Sequence, residues 1–63
     1  MIWNEIKVDG YDFCIQSGDW MVRQKGEQVE LHYYNYRIGW CNDVEEGMFK
    51  AWILELKGRR RNG

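Results

Sequence analysis

From Ile2 to Trp40 the side chains change character with a period of two residues, and glycine-bearing turns cut the pattern at short intervals. Such alternation sends successive side chains to opposite faces, so the segment can bury its apolar set only as a sheet with one face covered. Ile2, Asn4, Ile6 and Val8 alternate with Trp3, Glu5 and Lys7 up to Asp9-Gly10, which predicts a strand over 2–8 and a two-residue hairpin. Tyr11, Phe13 and Ile15 alternate with Asp12, Cys14 and Gln16 until Ser17-Gly18-Asp19, predicting a strand over 11–16. Trp20, Val22 and Gln24 oppose Met21, Arg23 and Lys25 in a strand over 20–25, before a turn at Gly26-Glu27. Val29, Leu31 and Tyr33 then face away from Glu30, His32 and Tyr34, and the phase slips so that Tyr36, Ile38 and Trp40 carry it onward. A bulge or short turn near Asn35 absorbs the slip within a strand over 28–38.

Past Asn42 the period changes to that of a helix. Asn42 is placed as an N-cap with Glu45 three residues on, and acids in the first turn complement the helix dipole. Lys57 and Gly58 close the element, which is expected over 43–57. Gly47 costs about 1 kcal/mol of helix propensity, so the sheet or a partner is expected to approach the backbone there. At about 100° per residue, Val44, Met48 and Ala51 form one face, while Phe49, Trp52, Ile53, Leu54 and Leu56 spread to the opposite side. That arc is wider than one sheet can cover and leaves a surplus for an interface.

The fold class that follows is α+β: an antiparallel β-meander of three to four strands followed by one C-terminal helix. Residues 1–58 form a single domain and residues 59–63 a basic flexible tail. The expected core is Phe13, Ile15, Trp20, Val22, Leu31, Val44, Met48 and Trp52. A chain of 63 residues buries only about 60% of its unfolded surface, so each large side chain counts. With apolar residues at 44%, disorder is excluded. No apolar run approaches a membrane span, no secretory leader is legible, and a cytoplasmic location is expected.

Catalytic chemistry finds few candidates. Cys14 and Cys41 stand 27 positions apart without a CxxC pair, and His32 is the one histidine, so neither a zinc site nor a redox motif can be assembled at usual spacings, and no metal or cofactor is expected. Both cysteines are expected as reduced thiols. A nucleophile would need Cys14 or Cys41 beside His32, which spacing does not provide, and His32 is expected on the solvated face with Glu30 and Tyr34. A non-enzymatic protein is the reading.

Charge divides the chain. Residues 1–56 hold ten acids against five bases, whereas Lys57, Arg59, Arg60 and Arg61 make the end basic. Outward aromatics, Trp3, Tyr34 and Tyr36, together with Asp12, Glu30, Glu45, Glu46, Phe49 and Ile53, are the residues expected to contact a protein partner, since aromatics dominate binding hot spots.

Gly18-Asp19-Trp20, the strand to Lys25 and the later Gly39-Trp40-Cys41-Asn42-Asp43-Val44-Glu45-Glu46 resemble a pattern in small sheet-plus-helix DNA binders. These are the Apetala-type plant domains and the arm-binding domains of tyrosine integrases, in which a three-stranded sheet enters the major groove. The likeness covers about residues 17–56, with Trp40-Cys41 near the family's phenylalanine position and Gly47 in place of its alanine. The elements of the likeness are structural and do not read DNA themselves; from charge, the DNA reading takes Arg23, Lys25 and Arg37 as a small basic stripe, with Arg59, Arg60 and Arg61 adding phosphate contacts. In size and composition the chain also looks like the short accessory proteins of phages and mobile elements, including anti-CRISPR and other anti-defence inhibitors. That likeness implies an acidic, aromatic-rich protein binder that occupies a nucleic-acid-binding surface on a host protein. Because DNA affinity rests on basic residues and the body is acidic, the protein binder leads and DNA is the alternative. A homodimer on the surplus helix face or a free strand edge is compatible with both.

Overall fold

A computed structural model describes the backbone over residues 1–61 and the side chains over residues 1–58. Five strands, β1 (Asn4–Ile6), β2 (Phe13–Ser17), β3 (Trp20–Lys25), β4 (Gln28–Tyr33) and β5 (Tyr36–Cys41), are followed by helix α1 (Val44–Arg61). The sheet is antiparallel in the order β1-β2-β3-β4-β5, so each strand pairs with its neighbours in sequence. The α+β meander with a closing helix is therefore as expected, with five strands in place of three to four.

The additional strand comes from the phase slip. Tyr34 and Asn35 both take positive φ, 52° and 68°, the signs a type I′ turn requires, and this turn splits the expected 28–38 strand into β4 and β5. A bulge follows as well: Leu31 pairs with Gly39 and His32 with Arg37, leaving Ile38 as the extra residue. The two preceding hairpins place Gly18 and Gly26 at their first central positions, with φ of 58° and 59°.

Asp9-Gly10 does not make the two-residue hairpin that the sequence suggests. β1 is only three residues long, and the chain turns through a wider loop in which the Tyr11 amide donates to the Val8 carbonyl at 3.2 Å. Asp12 is drawn to β3 instead, its amide donating to the Gln24 carbonyl at 2.8 Å and its carboxylate accepting from the Gly26 amide at 2.6 Å.

One sheet face packs against α1. Ile15, Trp20, Val22, Val29 and Leu31 form the buried cluster with Ala51, and Trp3, Phe13, Tyr33, Cys41, Val44 and Met48 pack around it. Trp52, expected in this core, is 47% exposed. The cause is the seam itself: Gly47 and Ala51, the small residues of the sheet-facing side, set the line of closest approach, and Trp52 lies about a quarter-turn away from it. Trp3 departs in the other direction, packing on the core edge rather than standing free on the solvent face.

The helix start lies one residue later than expected. Asp43 is the N-cap, its Oδ1 accepting from the Glu46 amide at 2.7 Å, while Glu46 reaches back to the Asn42 backbone and side chain at 3.3 and 3.0 Å. At the other end the helix continues through Gly58 to Arg61. Gly58 is absent from the positive-φ positions and so does not make the left-handed cap that would end it there.

Candidate functional site

The register sorts every strand residue onto a face. Cys14, Arg23, Glu30 and Trp40 form one cross-strand row on the side away from α1, and Gln16, Met21, His32 and Arg37 form the next. Arg23, Lys25 and Arg37 therefore share the uncovered face, as the alternation implies. Arg59, Arg60 and Arg61 fall outside the residues whose side chains are described.

This face is not simply solvated. Glu30 and His32 lie on the outward face as expected, but they are 9% and 6% exposed and are not the solvated residues that the alternation implies. Side chains of the same face cover them and exchange hydrogen bonds. Glu30 Oε1 lies 2.7 Å from His32 Nε2 and accepts from the Tyr11 hydroxyl at 3.2 Å. Burial raises the Glu30 pKa, but hydrogen bonds from His32 and Tyr11, with the charges of His32 and Arg37, outweigh it and hold the carboxyl below its ordinary range. Glu30 is thereby held ionised within the fold, hydrogen-bonded and largely buried rather than presented as a free surface acid. Asp12 and Glu45 are exposed, while half-buried Glu46 pairs with Lys50 Nζ at 3.0 Å.

The two arginines of this face are each laid on an aromatic ring. Arg23 lies 5.3 Å from the centroid of Tyr11, and Arg37 lies 4.5 Å from that of Trp40. Residues 37 and 40 are an odd number apart and would sit on opposite faces of a regular strand. The bulge at Ile38 brings them onto the same one, which is why period-two reasoning missed Trp40 and Ile38 as surface residues.

The outcome is an edge strand, β5, with a dense set of exposed groups. Tyr36 is 76% exposed, Trp40 50% and Ile38 48%, and Tyr34 stands beside them in the turn. Tyr34 is held in place: its amide donates to the Asp19 carbonyl at 3.0 Å, its ring meets Tyr33 edge-on at 4.6 Å, and hydrogen bonding to Asp19 raises its phenol pKa. Lys50 Nζ donates to the Trp40 carbonyl at 3.4 Å and anchors β5 to α1.

Elsewhere, Cys14 and Cys41 form no disulfide with each other and lie on opposite sheet faces. Burial pushes both thiols up, which keeps them protonated and poorly nucleophilic. Among the described residues there is no group of three metal-ligating side chains and no helix long and apolar enough to cross a membrane. A recess of about 290 Å³ lies at the turn end of the sheet, lined by Ser17, Asp19, Trp20, Tyr33 and Glu55 among others. Its wall is fixed by the Trp20 indole, which donates to Glu55 Oε2 at 2.8 Å and meets the Tyr33 ring at 4.4 Å with a tilt of 41°.

Comparison with protein-family models, with curated proteins and with solved structures finds no match for this chain.

Proposed function

We propose that the protein is a small non-enzymatic protein-binding module that acts by occupying a surface on a host protein, as accessory inhibitors of phages and mobile elements do. The observation that carries the reading is strand β5, a sheet edge bearing Tyr36, Ile38 and an Arg37–Trp40 stack, with Tyr34 fixed beside it. Trp, Tyr and Arg are the residues that dominate binding hot spots, because they bury large areas at small entropic cost. An edge strand adds backbone groups to which an extended partner segment can pair. Exposed Asp12 and Glu45 and the acidic balance of the body favour a basic partner surface through steering.

The test is capture from host lysate with the wild-type chain and with Tyr36→Ala and Trp40→Ala, each with and without nuclease. A partner retained by the wild type after nuclease and lost by both variants supports the reading. Capture that disappears with nuclease contradicts it.

A second reading, DNA binding, is favoured by the placement of Arg23, Lys25 and Arg37 on the one uncovered sheet face. Against it, Arg23 and Arg37 flank the ionised Glu30, and the body carries twice as many acids as bases.

A further inference from the structure

Helix α1 has a second apolar face that the sheet does not use. Val44, Gly47, Met48 and Ala51 face the sheet. Phe49, Trp52, Ile53 and Leu56 recur at helical spacing on the far side, with Phe49 57% exposed and its ring 5.9 Å from that of Trp52. Beside them Glu46, Phe49, Lys50, Ile53 and Leu54 line a recess of about 370 Å³, room for a large apolar side chain. The stripe has a direction: it begins at acidic Glu45, runs through the apolar residues, and ends in the basic sequence from Lys57 to Arg61.

A stripe that is acidic at one end and basic at the other is complementary to itself when reversed. We propose that two copies of the chain pair through this face, helix against helix and antiparallel, about a two-fold axis passing between Trp52 and Ile53. Such a contact is isologous, so Phe49 of each copy meets Leu56 of the other, and Trp52 enters the recess beside Ile53. Glu45 and Arg60 stand equally far along the chain from that axis, which sets the acidic first turn of one helix beside the basic end of the other. One helical stripe per copy is a small interface of the kind found in transient pairs, so the association is concentration-dependent. This pairing is separate from the proposed role of β5 and leaves that edge open in both copies.

Sedimentation equilibrium of the full chain, from about 1 μM to about 1 mM, reads the association directly. The expected result is a mass rising from 7.7 kDa to twice that value. Phe49→Glu and Trp52→Glu should each weaken the dimer by about 10-fold or more, with thermal melts verifying that each variant is folded. Orientation is read from charge: Glu45→Arg should weaken pairing, and Glu45→Arg combined with Arg60→Glu should restore it. In a parallel pair the first change would not weaken pairing by itself, and the second would give no rescue. A wild-type chain that stays monomeric throughout overturns the proposal, including one that instead floats with vesicles of phosphatidylcholine and phosphatidylserine. Association abolished by Trp40→Ala but not by Phe49→Glu or the charge changes overturns it too, assigning self-contact to β5.

Discussion

Gly47 of the helix lies so close to Val22 of the central strand that a β-carbon at position 47 would stand 2.9 Å from Val22 Cγ1 and 3.0 Å from Cγ2. Alanine is the better helix former by about 1 kcal/mol, but forcing a methyl group into a packed seam costs about 1–3 kcal/mol. Gly47→Ala is therefore expected to lower stability despite its propensity gain. Removing the opposing methyl groups separates the two effects, and Val22→Ala should cost less in the Gly47→Ala background than alone. Urea denaturation of the four chains measures the coupling.

Two tryptophans that look equivalent in sequence should respond in opposite ways. Trp20 is buried and hydrogen-bonded to Glu55, and Trp20→Ala should cost about 3–5 kcal/mol. Trp52 faces away from the sheet, and Trp52→Ala should leave the monomer's melting temperature nearly unchanged. Both readings belong below the concentration at which the chain self-associates. A large loss of monomer stability for Trp52→Ala would place its ring in the core after all.

Much of the fold was legible because its physics is local. Alternation in β2, β3 and β4 fixed which residues face the helix, and Gly18 and Gly26 marked two hairpins. What escaped depended on groups distant in sequence. Trp52 was misassigned because periodicity reports that a helix is apolar on two sides but not which side the smaller residues will dock. Glu30 and His32 read as surface residues because each faces away from the helix, yet both are buried, and Tyr11 donates a hydrogen bond to Glu30 from 19 positions away. The candidate surface was half visible: Tyr34 follows from alternation, whereas Tyr36 pairs with Tyr33 on the helix side of the sheet yet is exposed, and Trp40 joins Arg37 only through the bulge.

Acid should destabilise the protein through Glu30. Its folded-state pKa lies below the ordinary value of 4.5, so its contribution is complete above that value and is lost as pH falls through the lower, folded-state one. Glu30→Gln removes the ionisation and keeps an acceptor for Tyr11. Denaturation midpoints followed from about pH 7 down to about pH 2 should show a shallower acid limb for the variant than for the wild type. Equal slopes would mean that Glu30 is not the responsible group.

The Tyr34-Asn35 turn offers a way to separate stability from binding. Two non-glycine residues with positive φ carry a backbone cost on the order of 1 kcal/mol each, and Asn-Gly is the pair best suited to this turn. The double substitution Tyr34→Asn and Asn35→Gly should hold or raise the melting temperature. Because it also deletes the Tyr34 ring beside β5, it should weaken partner capture. A variant that melts at a lower temperature would show that the Tyr33–Tyr34 ring contact contributes more than the turn costs.

The strictly sequential strand order has a kinetic consequence. Three of the four strand pairings close across two-residue turns, so little loop entropy is lost before each pairing forms, and hairpins of this kind assemble in about 1–10 μs. The chain contains no proline, which removes the usual source of a slow refolding phase. The helix, however, comes last. A chain that has emerged from the ribosome only as far as Cys41 can pair its strands but does not yet have α1 to lay over Val22, Val29 and Leu31, so the future core is at that point a bare apolar sheet face.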